Sequence, residues 1–394
     1  MPISNGKFRC PYCYEIHRLE DCIVKCTSNR PGVPMDSVDS CPVGVVKSAE
    51  GYIPQQKKKS CMKCKRVAKM LYCPNGIDAN GNGFLNEIPS LFLEQDALPI
   101  ALVGAKASGK SVYVTVLVDE ILHRMTSPFS CSLDRNVVSA SWQRYLSDYY
   151  TPLYKERRMP NATTAGVTPP PMIFPIHFNG GRGGDKVATL TFYDTSGENF
   201  DDPMQLATYT KYLPNAKGII LLLDPLQLDS VRERLAKKNV PLPEQNTETD
   251  LILNNVMRLI RDMNNIKGSG KIDIPIALVF TKVDVLLEHF EEIAPESALR
   301  RNSEHLRNGR FVQSDFEEID ITMRDILGAV TEQSHILEAC KNFRRVGVFG
   351  VSSLGENPSG FFRISDKPHP HRVLDPLLWI LAENRYVPTV KTQR

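Results

Sequence analysis

The feature that most constrains the fold of this 394-residue chain is a phosphate-binding loop pattern, G-x-x-x-x-G-K-[ST]. The stretch Gly104–Ser111, GAKASGKS, matches the pattern at every fixed position. The apolar run 99–103 before it predicts a buried strand, and the segment 111–124 after it predicts a helix. A loop between a strand and a helix N-terminus offers free N–H groups and a favourable dipole to an anion. The sequence therefore predicts a phosphate site; the alternative is a glycine-rich turn that binds no ligand.

Each part of this loop has an expected role in binding a nucleoside triphosphate. The Lys110 ammonium is expected to reach the terminal phosphates, and the Ser111 hydroxyl is expected to ligate Mg²⁺. The remaining predicted contacts of the loop with the nucleotide are Gly104, Ala107, Ser108, Gly109 and Val112.

Apolar segments alternate with helical ones from residue 98 onward. The predicted strands are 99–103, 172–178, 187–193, 217–223, 274–280 and 346–351. This alternation favours an α/β fold, a three-layer sandwich of the P-loop NTPase type with a mostly parallel sheet. Helical insertions are expected at about 125–170 and 285–345, and the stretch DPLLWILAEN predicts a C-terminal helix.

A short polar motif follows the strand predicted at 187–193. Asp194 and Gly197 form a D-x-x-G there, in which the carboxylate suits Mg²⁺ and the glycine N–H suits a γ-phosphate. A loop that grips the γ-phosphate is released on hydrolysis, and this property makes it a switch. A bare surface turn is the alternative, because the motif is short.

The motif T-K-x-D at Thr281–Asp284 ends another apolar strand and indicates which base is bound. A carboxylate can accept both N1–H and the exocyclic N–H₂ of guanine, a pair of donors that adenine lacks on that edge. Asp284 is therefore predicted to select guanine, with the alkyl chain of Lys282 over the base. The alternative is an ordinary charged strand end.

A fourth motif follows the final strand, where a backbone N–H can meet guanine O6; it consists of Ser352, Ser353 and Leu354. In chain order the motifs are G-x-x-x-x-G-K-S, D-x-x-G, T-K-x-D and S-S-L. Over residues 98 to about 355 the chain thus resembles the P-loop GTPases of the translation-factor and Ras-like class. The resemblance implies a chain that binds GTP or GDP with Mg²⁺ and hydrolyses GTP.

In that class a switch threonine before the second strand completes the Mg²⁺ shell. Thr168 is the best match here, with Thr163 and Thr164 as rivals. The catalytic residues that the resemblance implies are Lys110, Thr168, Gly197 and Glu198. The Mg²⁺ ligands that it implies are Ser111, Thr168 and Asp194.

Two positions depart from the pattern of the class. Thr281 stands where Asn is more usual, and Glu198 stands where Ras-like enzymes carry a water-orienting Gln. A carboxylate at that point can act as a base, but it also repels the phosphate. Slow intrinsic hydrolysis, on the order of 10⁻⁴ to 10⁻² per second, is therefore expected. An arginine that assists hydrolysis is expected from a partner or from Arg157, Arg158 or Arg182.

The first 73 residues hold eight of the ten cysteines. No N-terminal apolar segment resembles a secretory signal, so zinc in a reducing compartment is favoured over disulfides. Thiolates at C-x₂-C spacing suit tetrahedral Zn²⁺. The predicted zinc ligands are Cys10, Cys13, Cys26, Cys41, Cys61, Cys64 and Cys73. Reduced structural thiols are the alternative.

The grouping of these thiols into sites stays open. One division makes a site of Cys10, Cys13, Cys26 and Cys41. It leaves the other three predicted ligands without a fourth. Another division nests the two C-x₂-C pairs in one site. His17 is expected to be a surface residue, with a role as a substitute ligand as the alternative.

The sequence thus predicts a zinc-binding module at 1–73, a linker at 74–97 and a GTPase domain at 98–394. The module carries a net charge of +7 and the remainder −4. Its basic run KKKSCMKCKRVAK suits a protein-docking surface, with nucleic acid as a further candidate partner. No apolar run approaches the roughly 18 residues of a membrane span, so no transmembrane segment is predicted and a cytoplasmic location is expected.

The layout, with its CPYC start and its final helix, also resembles the bacterial double-GTPase group of conflict and defence systems. That resemblance implies a switch whose zinc module docks an unidentified protein partner. Two other hypotheses stay open. One is a P-loop ATPase, for which the T-K-x-D match is a coincidence. The other is a nucleotide-dependent binding module for protein or nucleic acid with little turnover, which Glu198 suggests.

Overall fold

The computed structural model describes twenty ranges of the chain. They are 7–18, 21–25, 45–47, 52–53, 58–60, 67–68, 70–76, 87–89, 92, 97–104, 108–135, 139–161, 171–181, 184–192, 213–240, 242–244, 249–291, 293–330, 335–356 and 363–391. The chain divides into two compact units, Met1–Leu98 and Pro99–Arg394. The finer division into zinc module, linker and GTPase domain stays a prediction.

The N-terminal unit is built from short antiparallel strands. A hairpin pairs β1 (Lys7–Arg9) with β2 (Ile16–Arg18). A four-stranded sheet has the order β4 (Val45–Lys47), β3 (Ile23–Lys25), β8 (Met70–Tyr72) and β9 (Glu87–Ile88). A three-stranded sheet contains β5 (Tyr52–Ile53), β6 (Lys58–Ser60) and β7 (Val67–Ala68). A 3₁₀ turn (Pro74–Gly76) and β9 therefore lie within the stretch that the sequence predicts as a linker.

The second unit is organised around a seven-stranded mixed sheet. Its order is β11 (Cys131–Leu133), β12 (Met172–Gly181), β13 (Gly184–Phe192), β10 (Ala97–Gly104), β14 (Gly218–Leu223), β15 (Ile276–Phe280) and β17 (Val346–Gly350). The pairs β10–β14, β14–β15 and β15–β17 are parallel, whereas β11–β12 and β12–β13 are antiparallel. A separate two-stranded sheet pairs β16 (Phe311–Val312) with β18 (Thr389–Val390).

The predicted α/β class with a mostly parallel sheet is confirmed, and all six predicted strands are present. The strands β14 and β15 are buried at every residue, as their unbroken apolar runs GIILLL and IALVF require. The edge strand β11 was not predicted. Its three residues, CSL, are too few to show a period of two.

Helices connect and flank the strands of the second unit. They are α1 (Lys110–Glu120), α2 (Ser139–Arg144), α3 (Asp229–Lys237), α4 (Thr249–Met263), α5 (Val283–His289), α6 (Glu304–Asn308), α7 (Gln313–Val330), α8 (His335–Cys340) and α9 (Asp375–Glu383). Short 3₁₀ turns lie at Leu213–Asn215, Pro225–Gln227 and Ala298–Arg300. No helix among the described residues combines the length and the apolarity that crossing a membrane requires.

Two helices continue as π-helix, which a propensity pattern cannot foresee. The helix α1 runs on into Ile121–Met125, and α2 runs on into Tyr145–Lys155, which contains Pro152. Proline has no N–H and clashes with the preceding turn of an α-helix, and the wider turn of a π-helix accommodates it. The Tyr145 hydroxyl donates to the Thr115 carbonyl at 2.9 Å, joining this insertion to α1.

The parallel strands place their carboxyl ends at one edge of the sheet. There β10 leads into the phosphate-loop pattern, β14 into Asp224, β15 into the T-K-x-D motif and β17 into the S-S-L motif. Ligands of open α/β sheets bind at this edge, outside the carboxyl ends of the strands. The fold thus brings together motifs that lie more than 240 residues apart, from Gly104 to Leu354.

Packing of α9 on β14 makes Gly218 a test of the fold. A Cβ at Gly218 would lie 2.3 Å from Ile380 Cγ2, and Ile380 is fully buried. We expect Gly218→Ala to lower the free energy of unfolding by about 1–3 kcal/mol, because a β-branched side chain in a packed core has no free rotamer to take. Chemical denaturation measures this change.

Gly328 in α7 is the matched control for the same substitution. A Cβ there meets nothing within 4 Å, and the residue is exposed. Gly328→Ala should leave the stability unchanged or raise it by about 0.5–1 kcal/mol through helix propensity. Equal destabilisation by both variants would contradict the packing of α9 on β14.

Candidate functional site

The N-terminus of α1 has the backbone geometry of an anion site. Gly109 precedes the helix in the left-handed conformation, with φ 82° and no side-chain cap. The first intrahelical bond runs from the Tyr113 N–H to the Gly109 carbonyl, at 2.8 Å. The N–H groups of Ser111 and Val112 therefore point out of the helix end without an intrahelical acceptor. Ala107 lies outside the described residues.

Close packing behind the loop explains the first glycine of the pattern. A Cβ at Gly104 would lie 2.7 Å from Ser108 Oγ and 2.9 Å from Leu222 Cβ. The Lys110 ammonium donates to the Gly104 carbonyl at 2.9 Å and is largely buried. The lysine thus folds back across the loop that it follows, so its charge lies next to the free N–H groups of the helix.

The threonine of T-K-x-D connects the phosphate loop to the strand ends. The Thr281 hydroxyl lies 3.0 Å from the Ser108 carbonyl and 3.2 Å from the Leu223 carbonyl. The Thr281 N–H also donates to the Leu223 carbonyl, at 2.9 Å. Thr281 and Ser108 are both buried. A hydroxyl in place of the more usual Asn amide therefore still joins the two parts of the site.

Lys282 has a partner, Asp224, that the sequence motifs did not predict. Its ammonium forms an ion pair with Asp224 Oδ2, and the other Asp224 oxygen accepts the Leu226 N–H at 2.9 Å. Asp224 is 1% exposed and directly follows β14. Lys282 itself adopts the left-handed conformation, with φ 56°. The signal in the sequence was an Asp directly after an unbroken apolar strand, LLLDP, at the carboxyl edge of the sheet.

Asp284 and the S-S-L motif face the same edge with unused polar groups. The Asp284 carboxylate is half-buried and has no hydrogen bond or ion pair among the described residues. Ser352 is buried and pairs with another segment, whereas the N–H groups of Ser353 and Leu354 find no acceptor in the described part of the chain. The Val283 N–H donates to the Val351 carbonyl at 3.1 Å, which holds the two motifs side by side.

Most of the switch side of the predicted site lies outside the described residues. Four of the predicted residues lie outside the described ranges: Thr168, Asp194, Gly197 and Glu198. Arg182 is also outside them. Arg157 donates to the Ser365 carbonyl at 3.0 Å, and Arg158 pairs with Glu156 at 2.6 Å, so both are held by their own chain in this conformation.

Comparison with known proteins fits this geometry. The family model described as Double-GTPase 2 matches residues 98–342, which is more than half of the chain. This chain belongs to the Double-GTPase 2 family. The matched region contains the phosphate loop and the T-K-x-D motif and ends before the S-S-L motif.

A similar curated protein comes from Mycolicibacterium smegmatis and is described as "Putative ESX-1 scaffolding and assembly protein SaeC". It is 26% identical over 309 residues, which span 75% of this Double-GTPase 2 chain and 77% of that protein. Among solved structures, the signal recognition particle receptor SRb-GTP/SRX complex of Chaetomium thermophilum shows 15% identity and a TM-score of 0.28, covering 66% of this chain and 93% of that chain. The Saccharomyces cerevisiae Ski7 GTPase-like domain, bound to GDP and inorganic phosphate, shows 11% identity and a TM-score of 0.30, covering 73% and 49%.

The Double-GTPase 2 match leaves out the N-terminal unit, where a second cluster lies. Its members offer three thiols and one imidazole within 4.8 Å of one another: Cys10, Cys13, His17 and Cys73. All four are buried. Cys10 and Cys13 lie in the turn of the β1–β2 hairpin, His17 lies on β2, and Cys73 follows β8.

The distances in this cluster suit a tetrahedral metal ion. Four ligands with Zn–S bonds of about 2.3 Å place sulfur atoms about 3.8 Å apart. The Sγ atoms of Cys13 and Cys73 are 3.7 Å apart, and Cys13 Sγ lies 3.1 Å from His17 Nε2. The Tyr12 N–H donates to Cys10 Sγ at 3.4 Å. Hydrogen bonds from the Cys10 and Cys73 thiols hold the pKa of Cys13 far below its usual range, which favours the thiolate.

This cluster corrects the expectation about His17 and bears on the grouping of the thiols, which the sequence left open. His17 is 8% exposed and lies among the thiols, so the expectation of a surface residue is wrong. Cys73, which one division left without a complete site, joins the first C-x₂-C pair. The predicted ligands Cys26, Cys41, Cys61 and Cys64 lie outside the described residues. The isolated thiols of Cys131 and Cys340 are buried, and burial raises the pKa of each to about 12.

The hydroxyl of Thr281 gives a test of the connection between loop and strand. Thr281→Val keeps the shape but leaves the buried Ser108 carbonyl without this donor, so the free energy of unfolding should fall by about 1–3 kcal/mol. Urea denaturation measures the loss.

Thr189 on β13 is the control for this substitution, because its hydroxyl is not hydrogen-bonded within the described residues. This hydroxyl is also buried. Thr189→Val should therefore be neutral or stabilising, because removing an unsatisfied polar group costs nothing. A Thr281→Val variant as stable as Thr189→Val would contradict the connection.

Proposed function

We propose that this Double-GTPase 2 chain is a Mg²⁺-dependent, GTP-binding and GTP-hydrolysing switch. The observation that carries the proposal is the Thr281 hydroxyl, 3.0 Å from the Ser108 carbonyl. It fixes the phosphate loop to the segment that bears Asp284. The groups that would bind the phosphates and the groups that would bind the base therefore lie at one edge of the sheet, as the two ends of one nucleotide require.

The base end of the proposed site suits guanine. The half-buried Asp284 carboxylate has no hydrogen bond or ion pair among the described residues, and it can accept N1–H and the exocyclic N–H₂ together. The N–H groups of Ser353 and Leu354, also without an acceptor there, are donors for the O6 carbonyl. Adenine supplies neither pattern, and it would leave a partly buried carboxylate unpaired. Lys282 covers the base with its alkyl chain while Asp224 holds its ammonium.

The phosphate end uses Lys110 and the helix N-terminus. In the proposal the Lys110 ammonium exchanges its bond to the Gly104 carbonyl for phosphate oxygens, and the N–H groups of α1 bind further oxygens. Ser111, Thr168 and Asp194 are the residues that would hold Mg²⁺, whose charge would neutralise the triphosphate. The Ser111 hydroxyl makes no hydrogen bond among the described residues, so it is free for that role.

Hydrolysis and switching belong to the D-x-x-G segment in this proposal. The Gly197 N–H would hold the γ-phosphate, and the Glu198 carboxylate would orient and deprotonate the attacking water. Repulsion between Glu198 and the γ-phosphate keeps the intrinsic rate on the order of 10⁻⁴ to 10⁻² per second. Loss of the γ-phosphate releases the segment, and a partner reads that change.

Base selectivity tests the proposed function. We expect Mg²⁺-GTP to bind far more tightly than Mg²⁺-ATP, and Asp284→Asn to weaken GTP binding by about 100-fold or more, since two charge-assisted hydrogen bonds are lost. Calorimetric titration gives both affinities. Asp273→Asn makes the same change on an exposed carboxylate before β15 and should leave binding intact.

Equal affinity for ATP and GTP would contradict the guanine assignment and favour the alternative of a P-loop ATPase. Tight GTP binding without turnover, with or without a cell extract, would favour a nucleotide-dependent binding module instead. Tight GTP binding with slow release of phosphate is the result that the proposal requires.

We further propose that Cys10, Cys13, His17 and Cys73 hold one Zn²⁺ ion. Three buried thiols and one imidazole within 4.8 Å are the ligand set of a closed structural site. The ion would supply folding free energy to a unit whose described strands are only two or three residues long. Nothing in this role needs redox chemistry or an open ligand position.

Metal analysis of variants tests the zinc site. His17→Gln and Cys73→Ser should each lower the zinc content by about one ion per chain, as measured by mass spectrometry of the purified protein. Cys340→Ala removes a buried thiol of the other unit and should retain all the zinc. An unchanged zinc content in His17→Gln and Cys73→Ser would rule out this ligand set.

We propose that the zinc-bearing unit docks a protein partner. The description of the M. smegmatis relative as a scaffolding and assembly protein supports a role in building a protein complex. The basic run through the second C-x₂-C pair is the proposed contact, with nucleic acid as the alternative. A cytoplasmic site of action and membership of a bacterial defence system stay predictions.

A further inference from the structure

The S-S-L motif is held by a second segment of chain, residues 369–372. The Ser352 N–H donates to the His371 carbonyl at 3.1 Å, and the His371 N–H donates back at 2.8 Å. One step further along, the His369 N–H donates to the Leu354 carbonyl at 2.8 Å. This ladder pairs the N–H and carbonyl groups of Ser352 and the carbonyl group of Leu354. The N–H groups of Ser353 and Leu354 take no part in it.

Arg372 fixes that second segment to the interior. The guanidinium makes five hydrogen bonds, which use all five of its N–H donors. They reach the Asp315 carboxylate at 2.8 and 3.0 Å, Asp375 at 2.7 Å, and the carbonyls of Ala298 and Arg301 at 3.0 and 3.1 Å. The side chain is 1% exposed. Its backbone is left-handed, with φ 54°, a conformation that a non-glycine residue keeps only when its surroundings impose it.

The charges around Arg372 match this structural role. Burial alone would raise the pKa of Asp315, but the hydrogen bonds and charge of Arg372 hold it below its ordinary value. His305, 3.9 Å from Asp315, accepts the Val312 N–H on Nδ1, so that nitrogen carries no proton, and burial lowers the pKa of the imidazole. The guanidinium therefore supplies the positive charge that the two carboxylates need.

We propose that Arg372 is a positioning residue for guanine recognition. It holds segment 369–372 on α7 and α9, and the segment in turn positions the N–H groups of Ser353 and Leu354, beyond the Val283–Val351 hydrogen bond that joins the two motifs. The inference rests on the proposed function, because it takes guanine to be the base that these groups meet. Arg372 touches no nucleotide group itself, and none of the four sequence motifs includes it.

The two contacts with the base can be tested separately. The N–H groups of the S-S-L motif meet O6, which GTP and ITP share. Asp284 also meets the 2-amino group, which ITP lacks. A displaced S-S-L motif should therefore weaken GTP and ITP binding by the same factor, and it should not change binding of inorganic tripolyphosphate, which has no base.

Competition binding of these three probes with Mg²⁺ tests the inference. For Arg372→Lys, which cannot form five bonds, we expect about tenfold weaker binding of GTP and of ITP, the value of one lost hydrogen bond. The GTP-to-ITP ratio and the affinity for tripolyphosphate should stay unchanged. Arg261→Lys is the matched control, since Arg261 also donates to two backbone carbonyls, of Gly268 and Gly270, outside the site.

A second variant, Gly355→Ala, perturbs the same ladder at an exposed residue. Gly355 has φ 79°, and a Cβ there would lie 2.8 Å from the His369 carbonyl oxygen. Gly355→Ala should therefore displace the ladder without disturbing the buried cluster, and it should reproduce the pattern of Arg372→Lys. If Arg372→Lys does not fold, this variant tests the step that the inference requires, namely that displacing the ladder weakens GTP and ITP equally, and unchanged affinities would overturn the inference.

The outcomes are distinguishable from failure of the proposed function. If the unaltered chain prefers GTP over ATP but neither variant weakens GTP relative to tripolyphosphate, the inference about Arg372 is wrong and the proposed function stands. If the variants change the GTP-to-ITP ratio, the segment acts through Asp284 and not through the S-S-L motif, and the inference is overturned. If the unaltered chain does not prefer GTP, the proposed function itself fails.

Discussion

Parallel pairing of four buried strands is the constraint on which the candidate site depends. The strands β10, β14, β15 and β17 run in the same direction, so their carboxyl ends meet at one edge. Each strand delivers a different polar group to that edge, and backbone pairing fixes the spacing between the groups. The Thr281 hydroxyl then connects the phosphate loop to this frame. Local motifs that are weak by themselves form one candidate site because the sheet holds them together.

The sequence could predict those parts of the arrangement that follow from the spacing of apolar residues and from the short motifs that follow the strands. Unbroken apolar runs predicted the strands, which the structure confirms, and the glycines and lysine of the loop predict a phosphate site at the N-terminus of α1. Asp224 and Arg372 were not predicted. Each takes its role from a partner 58 or 57 residues away along the chain, Lys282 or Asp315, and no spacing rule encodes such a pair. The edge strand β11 was missed because three residues carry too little pattern.

The cysteine cluster shows the same limit more sharply. A C-x₂-C pair predicts a metal site, but it does not indicate which distant ligands complete the site. Cys73 lies 60 residues from Cys13 and reaches it only because β8 ends beside the β1–β2 hairpin. His17 was expected at the surface because a single histidine carries no signal of its own, yet strand alternation turns it toward the thiols. In both units, residue types predict the chemistry, whereas the fold determines which residues lie together.

The central claim is that phosphate loop, Asp284 and S-S-L motif bind one guanine nucleotide together. A crystal structure of the chain with Mg²⁺ and a non-hydrolysable GTP analogue tests this claim most directly. The account predicts the triphosphate at the N-terminus of α1, the 2-amino and N1 groups of guanine on Asp284, and O6 within hydrogen-bond distance of the Ser353 or Leu354 N–H. A triphosphate bound at α1 with its base away from Asp284 would contradict it.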